Sequence, residues 1–449
     1  MLWRNLALVF VSLLFLILTA CRHPLKLGAD STQSLASFEF AWRVLRDSYF
    51  DTNFNGLNWQ AVHDELAPRA AQVRTAAELR PILEDMVARL GHSHMSIIPG
   101  NNTPSDLRET ASSPEIPAKK PVGLGTLGLK LRLVDSDLLV TEVTPHSSAA
   151  KNGVQLGWKL LTIDDSNLPQ QISDIHNKPA YQKTDFVAWN LGEHAQRGEV
   201  NSTAHVTFLD AADQAQSRDL VRFALPGQPV TLGHFPPVHT TFEHRWLDPS
   251  GPKRIGYIHF NFWMIPAARA FDQAIEELKP AQGVIIDMRG NLGGLAAMVM
   301  GVAGHFVTNR QDLGVMLTRE NQLHFYAFPR TVNPAGDGTL PYTGPVAILT
   351  DGNSASAAEL FAGGMQAIGR ARIFGQESAG QALPATFTQL PNRDLLYHAF
   401  ANFLLPDGRR LEANGVRPDE VIPLRRADLI AGRDATLEAA VQWIQKLQP

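Results

Sequence analysis

The chain has 449 residues, more than one domain usually holds, so two or three folding units are expected. Hydrophobic residues make up 44% and charged residues 19%, the balance of a globular protein. The net charge is −4 and the basic residues are scattered, which excludes a basic footprint for nucleic acid.

The start, "MLWRNLALVFVSLLFLILTAC", has one early arginine, Arg4, and then an uncharged run from Leu6 to Ala20. That run is short for a membrane span and right for the core of a signal peptide. It ends in Leu18-Thr19-Ala20-Cys21, which resembles the bacterial lipobox. The resemblance implies that residues 1–20 are a signal peptide and that Cys21 is lipidated, anchoring an exported protein in the cell envelope. Arg22, where an aspartate would retain a lipoprotein at the inner membrane, points to the outer membrane facing the periplasm. Cys21 is also the single cysteine, so no intramolecular disulfide can form. The plainer alternative is a cysteine that happens to end an ordinary signal peptide.

Residues 21–35 read as a linker and 36–99 as a helical domain. "FEFAWRVLRDSYF" places Phe38, Trp42, Leu45 and Phe50 near helical spacing. In "TAAELRPILEDMVARLG", Thr75 and Glu78 form a possible capping box. Leu79, Leu83, Met86, Val87 and Leu90 make an apolar stripe, and Gly91 is a stop. "HSHMSI" follows as extended or turning chain, with His92 and His94 two apart. On a strand those side chains would share a face, so the pair could hold a metal; alternatively one histidine is a base with Ser93 as its helper, or both are plain polar residues at a helix end. Residues 100–120, rich in Ser, Pro, Asn and Thr, read as a second linker.

Residues 121–227 read as a β-rich domain. "LGLKLRLVDSDLLVTEV" gives two strands, Ser148–Asn152 a short helix, and "KLLTIDD" another strand. The order resembles a PDZ domain, which implies a site for an extended peptide C-terminus added as a strand. The 166–200 stretch is longer than that pattern requires.

From 240 to 449 strands and helices alternate, which argues for a layered α/β core. "GVIIDMRG" and "GPVAILTDG" are continuous apolar runs of buried strands. Two strand-to-helix turns stand out. "IIDMRGNLGGLAA" carries Gly290, Gly293 and Gly294, which permit unusual backbone angles and, at the start of the helix expected to follow, exposed N–H groups. Neither the dinucleotide fingerprint nor the P-loop spacing is present, so an oxyanion hole is the other use. "LTDGNSASAAELF" carries Ser354 and Ser356 at a helix start, where Ser356-x-x-Glu359 is equally a capping box. The G-x-S-x-G elbow is absent.

Together "GVIIDMRGNLGG", "TDGNSASAAELFAGGMQAIG" and "NGVRPDEVIP" resemble the tail-specific (C-terminal processing) and tricorn-core family of serine peptidases. That resemblance implies an α/β multidomain protein with an N-terminal helical bundle, a PDZ domain and a ClpP/crotonase-like catalytic core. It also implies a polypeptide substrate and no metal or organic cofactor. Ser356 falls at the nucleophile's place. The lysine of the tail-specific branch falls at Gln381, and an amide nitrogen is not basic. The tricorn branch uses instead a histidine preceded by serine, and a late glutamate; Ser93-His94 and Glu412 match these. His92 is then a bystander. Ala357 N–H and a glycine N–H, from Gly293 or Gly294, would form the oxyanion hole. The expectation is thus a lipid-anchored serine endopeptidase. Its alternatives are a catalytically silent peptide- or ligand-binding relative, an esterase on the same residues, and a metal site at the two histidines.

Overall fold

The computed structural model describes residues 29–100, 124–177, 184–231, 233, 237–247 and 254–447. The signal-peptide reading, Cys21 and most of the 100–120 linker lie outside the described residues.

Three helices, Ala29–Ser48, Trp59–Ala70 and Ala76–Ala88, open the described chain. The third starts as its sequence dictates. Glu78 N–H donates to Thr75 Oγ1 and Thr75 N–H donates to Glu78 Oε2, both at 3.2 Å. Leu79, Leu83, Met86, Val87 and Leu90 are all buried, as the stripe predicts. The first helix begins inside the segment read as a linker, a correction with a tertiary cause. Gln33 Nε2 donates to Pro391 O (3.0 Å) and Asn392 N–H donates to Ser37 Oγ (3.0 Å), so contact with a distant turn orders a stretch that has no apolar period. Past Gly91, Ser96–Ile98 forms a strand paired antiparallel with Leu395–Ala399. The cluster buried by these helices takes in Leu383, Leu390, Leu396 and Ala399, so helices and core share one hydrophobic interior here.

The β-rich part is built on a sheet whose order runs Leu129–Val134, Asp137–Val143, Lys159–Ile163, Thr203–Leu209, Ala215–Val221. The long 166–200 stretch forms two helices, Leu168–His176 and Thr184–Ala195. The second lies along the free edge of Leu129–Val134 and satisfies its backbone. Trp189 Nε1 donates to Leu131 O (3.0 Å), Leu131 N–H to Glu193 Oε1 (3.3 Å) and Leu129 N–H to Gln196 Oε1 (3.3 Å).

The core is a six-stranded sheet in the order Phe242–Leu247, Ile255–Phe260, Gly283–Asp287, Val346–Thr350, Arg372–Gly375, Glu420–Val421. Only the first pairing is antiparallel. Gly283–Asp287 and Val346–Thr350 are buried at every residue, as strands covered on both faces must be. One face packs on helices Ile265–Leu278 and Ala357–Ala367, the other on Ala435–Lys446. One expectation fails locally. The helix after "NLGG" starts only at Met298, because Gly294 (φ 137°) bridges to Trp263 as an extra extended residue.

Candidate active site

Both loops at the carboxyl ends of the central strands meet and are stitched together. Asp351, following Val346–Thr350, accepts from Gly290 N–H and Asn353 N–H (both 3.0 Å) on Oδ1. Ser354 Oγ donates to Met288 O (2.8 Å), and Ala355 N–H donates to Asn291 O (2.9 Å). Arg132 from the β-rich part pairs with the other oxygen of Asp351.

That stitching separates the two serines. Ser354 is fully buried and committed to backbone bonds. Ser356 is partly exposed and sits at φ 55°, ψ −121°, a conformation a non-glycine residue adopts only when its surroundings hold it there. They do. Its N–H donates to Gln381 O (2.8 Å) and Glu359 Oε2 (3.0 Å). Ala357 is the first residue of the helix, so its N–H has no acceptor within the helix. Gly293 abuts this point: a Cβ on it would lie 2.6 Å from Ser356 Cβ. Its N–H, however, is donated to Asn291 Oδ1 (3.0 Å). Gly294 bridges to Trp263 through the groups of its neighbours, Trp263 N–H to Gly293 O and Leu295 N–H to Trp263 O, so the bridge does not use its own N–H.

The second half of the site comes from the helical region. Ser93 Oγ donates to Glu412 Oε2 (2.9 Å) and meets His94 Nδ1 at 2.7 Å. Ser93 N–H donates to Glu412 Oε1 (2.9 Å), and Ala382 N–H to Oε2 (3.0 Å). The serine has one proton and gives it to the carboxylate, so His94 must donate from Nδ1. This leaves the Nε2 lone pair free to act as a base. His94 is itself at φ 59°. Burial pushes its imidazolium down to about 4, against an upward pull from Glu412, so the ring is neutral at pH 7. Among the described residues no hydrogen bond joins His94 to Ser356. The two halves meet instead through the chain, where Gln381 holds Ser356 and Ala382 holds Glu412.

The two histidines do not converge. His92 Nδ1 meets Tyr49 Oη and Nε2 meets Arg410 Nη2 (3.0 Å), whereas His94 turns to Ser93. His92 was expected to be a bystander and has two partners. Glu359, expected as a cap, is a fully buried hub. It accepts from Ser378 Oγ, Gly380 N–H, Gln381 N–H and Ser356 N–H at 2.6–3.0 Å, while burial lifts its carboxyl to about 7. The backbone roles of Gln381 and Ala382, and those of Asp351 and Arg132, have no mark in the sequence. They follow from which loops the sheet brings together.

Residues 254–422 match peptidase family S41, and residues 33–88 match the tricorn protease C1 domain. The chain thus carries a family S41 serine-peptidase domain, and over most of its length it is similar to carboxyl-terminal-processing proteases. It is 23% identical to a carboxyl-terminal-processing protease of Picosynechococcus sp., over 91% of this chain and 88% of that one. It is 22% identical to the chloroplastic carboxyl-terminal-processing peptidase 3 of Arabidopsis thaliana, over 88% and 70%. In fold it is similar to the photosystem II D1 C-terminal processing protease (TM-score 0.58, 19% identity, 92% of this chain and 97% of that one). It is also similar to mature CPAF (TM-score 0.60, 11% identity, 94% and 97%).

Proposed function

We propose that this peptidase cleaves unstructured polypeptides or exposed tails with a Ser356–His94–Ser93–Glu412 tetrad, in the manner of the tricorn branch. The observation that carries the reading is the continuous bonding from Glu412 through Ser93 to Nδ1 of a neutral His94. Ser356 Oγ attacks the scissile carbonyl and its proton passes to His94 Nε2. Glu412, through Ser93, steadies the imidazolium. The oxyanion of the tetrahedral intermediate takes hydrogen bonds from Ala357 N–H and from Gly294 N–H, since Gly293 N–H is already engaged. His94 returns the proton to the leaving amine, and a water then releases the acyl group from Ser356 by the same steps. Gln381 has no basic nitrogen, so a serine–lysine dyad does not serve here.

In this reading the six-stranded core is of the ClpP/crotonase type and the β-rich part is PDZ-like. A peptide C-terminus adding to the Leu129–Val134 edge must first displace the three bonds from Trp189, Glu193 and Gln196. The protein is held through a lipid on Cys21 at the envelope, at the outer membrane facing the periplasm. A soluble form, residues 22–449, treated with a fluorophosphonate and peptide-mapped, tests the tetrad. Label on Ser356 that is lost in His94→Ala supports it. A folded protein without label on Ser356 supports the silent, ligand-binding reading.

A further inference from the structure

We infer that His92 is a positioning residue for the His94 base, acting through Arg410 on Glu412; the inference rests on the tetrad proposed above. The segments 92–94 and 410–412 come from opposite ends of the chain and are joined rung by rung. His92 Nε2 meets Arg410 Nη2 at 3.0 Å, and the next residue, Ser93, places its N–H and Oγ on the two oxygens of Glu412, each at 2.9 Å. A guanidinium can only donate, so His92 Nε2 carries no proton and the ring's single proton sits on Nδ1, facing Tyr49 Oη. The ring is thereby neutral, of one tautomer and held at both ends. Burial and the neighbouring Arg410 favour that neutral form, while Asp51 and Glu412 pull the other way.

This clamp sits where the site most needs one. His94 holds φ 59°, and such a residue relaxes when its neighbours let go. The helical region does not depend on His92 for its attachment. Ser96–Ile98 pairs with Leu395–Ala399, Arg80 pairs with Asp394 (2.9 Å), and Arg319 Nε donates to Tyr49 O (2.7 Å). The ring borders an open cleft of about 340 Å³ that Phe50, Asp51 and Arg410 also line, so removing it empties no sealed core. Loss of His92 should therefore leave the fold standing and release Glu412 relative to Ser93 and His94.

The test uses the soluble protein, with casein as substrate and a fluorophosphonate as probe of Ser356. His92→Ala should slow labelling and lower kcat by about ten- to a hundredfold, the scale of a misplaced catalytic group, with KM nearly unchanged. His92→Gln, which keeps an acceptor for Arg410, should restore most of the loss. In a Glu412→Gln background, His92→Ala should cost less than about twofold more, because the two act as one unit. Arg410→Met, compared in the same two backgrounds, carries the test if His92→Ala unfolds. A wild type labelled on Ser356 with His92→Ala labelled as fast overturns the inference alone, and so do additive losses. No label on Ser356 in the wild type removes the tetrad and this inference with it.

Discussion

The helical region and the β-rich part are both fastened to the same catalytic core, in different ways. The helical region shares its hydrophobic interior with residues 383–399, adds a strand to a core hairpin and delivers Ser93 and His94 onto Glu412. The β-rich part closes a core of its own, against which Leu292 packs from outside among the described residues. It is tied across mainly by charge: Arg132 to Asp351, and Arg426 to Gly157 O and Asp213. The first seam is continuous with the proposed tetrad. The second reaches it at one remove, through an aspartate that organises both glycine and serine turns. A joint made by apolar interdigitation resists sliding, whereas one made by a few ion pairs has little surface to lose when it opens.

Breaking the first seam at its charge should have the largest effect. Glu412→Gln removes the negative group behind Ser93 and places an amide donor among the donors Ser93 and Ala382. A fall in kcat of about a thousandfold or more is expected, by analogy with triad carboxylate replacements, with KM nearly unchanged. Steady-state kinetics with the melting temperature measured alongside would check it; a loss confined to KM would place Glu412 in substrate binding instead.

Breaking the second seam should cost less in rate and more in stability. Arg132→Ala leaves Asp351, 4% exposed, without its cation. Removal of one partner from a buried pair costs about 3 kcal/mol, here moderated by the N–H groups of Gly290 and Asn353. Chemical denaturation would read that loss, and kcat should fall by about tenfold as the two turns loosen. A larger fall than in Glu412→Gln would reverse the ranking of the seams and make the β-rich part the dominant control of the site.

The pH profile sharpens the comparison without a substitution. His94 is pushed below its ordinary value, to about 4, mainly by burial, so the neutral base persists well below pH 6.5. The acid limb of kcat/KM is therefore expected below the ordinary histidine value. Glu412→Gln should move it lower still, since Glu412 is what raises it. The stability linkage has the same sign. The unfolded chain binds the proton more readily, so the contribution of neutral His94 is complete above about 6.5 and is lost as pH falls toward 4. An acid limb at or above 6.5 would show that another group limits the rate.

Much of this arrangement was legible in the chain, and the exceptions have a common cause. Thr75, Glu78 and the stripe from Leu79 to Val87 act within one helix, and "GVIID" and "VAILT" are buried whatever surrounds them, so local pattern suffices. Ser93, His94, Ser356 and Glu412 were picked out by likeness to a family. Their geometry had no local signal, because 319 positions separate Ser93 from Glu412. The helix start at Ala29, the partners of His92 and the three donors on Glu359 beyond its cap, Ser378, Gly380 and Gln381, escaped for the same reason. Each is fixed by a residue far along the chain or by a turn whose backbone angles the sequence only permits. The helix expected directly after Gly294 failed because pairing with Trp263 outcompeted it.

The smallest expected effect tests whether the first seam is held by packing rather than by charge. Asp394 is 1% exposed and accepts from Arg80, from Gly100 N–H (2.8 Å) and from Asn392 Nδ2 (3.0 Å). Arg80→Met removes the cation and keeps most of the apolar stem, while two donors remain on the carboxylate. The pair is partly open to solvent on the arginine side, so a loss of about 1 kcal/mol in unfolding free energy is expected, with kcat unchanged. The apolar cluster of Phe38, Leu45, Leu383 and Leu396 then keeps Ser93 on Glu412 unaided. A fall in kcat with stability intact would mean that the ion pair, and not the shared interior, sets the register of the helical region, and both seams would then be electrostatic joints of the same kind.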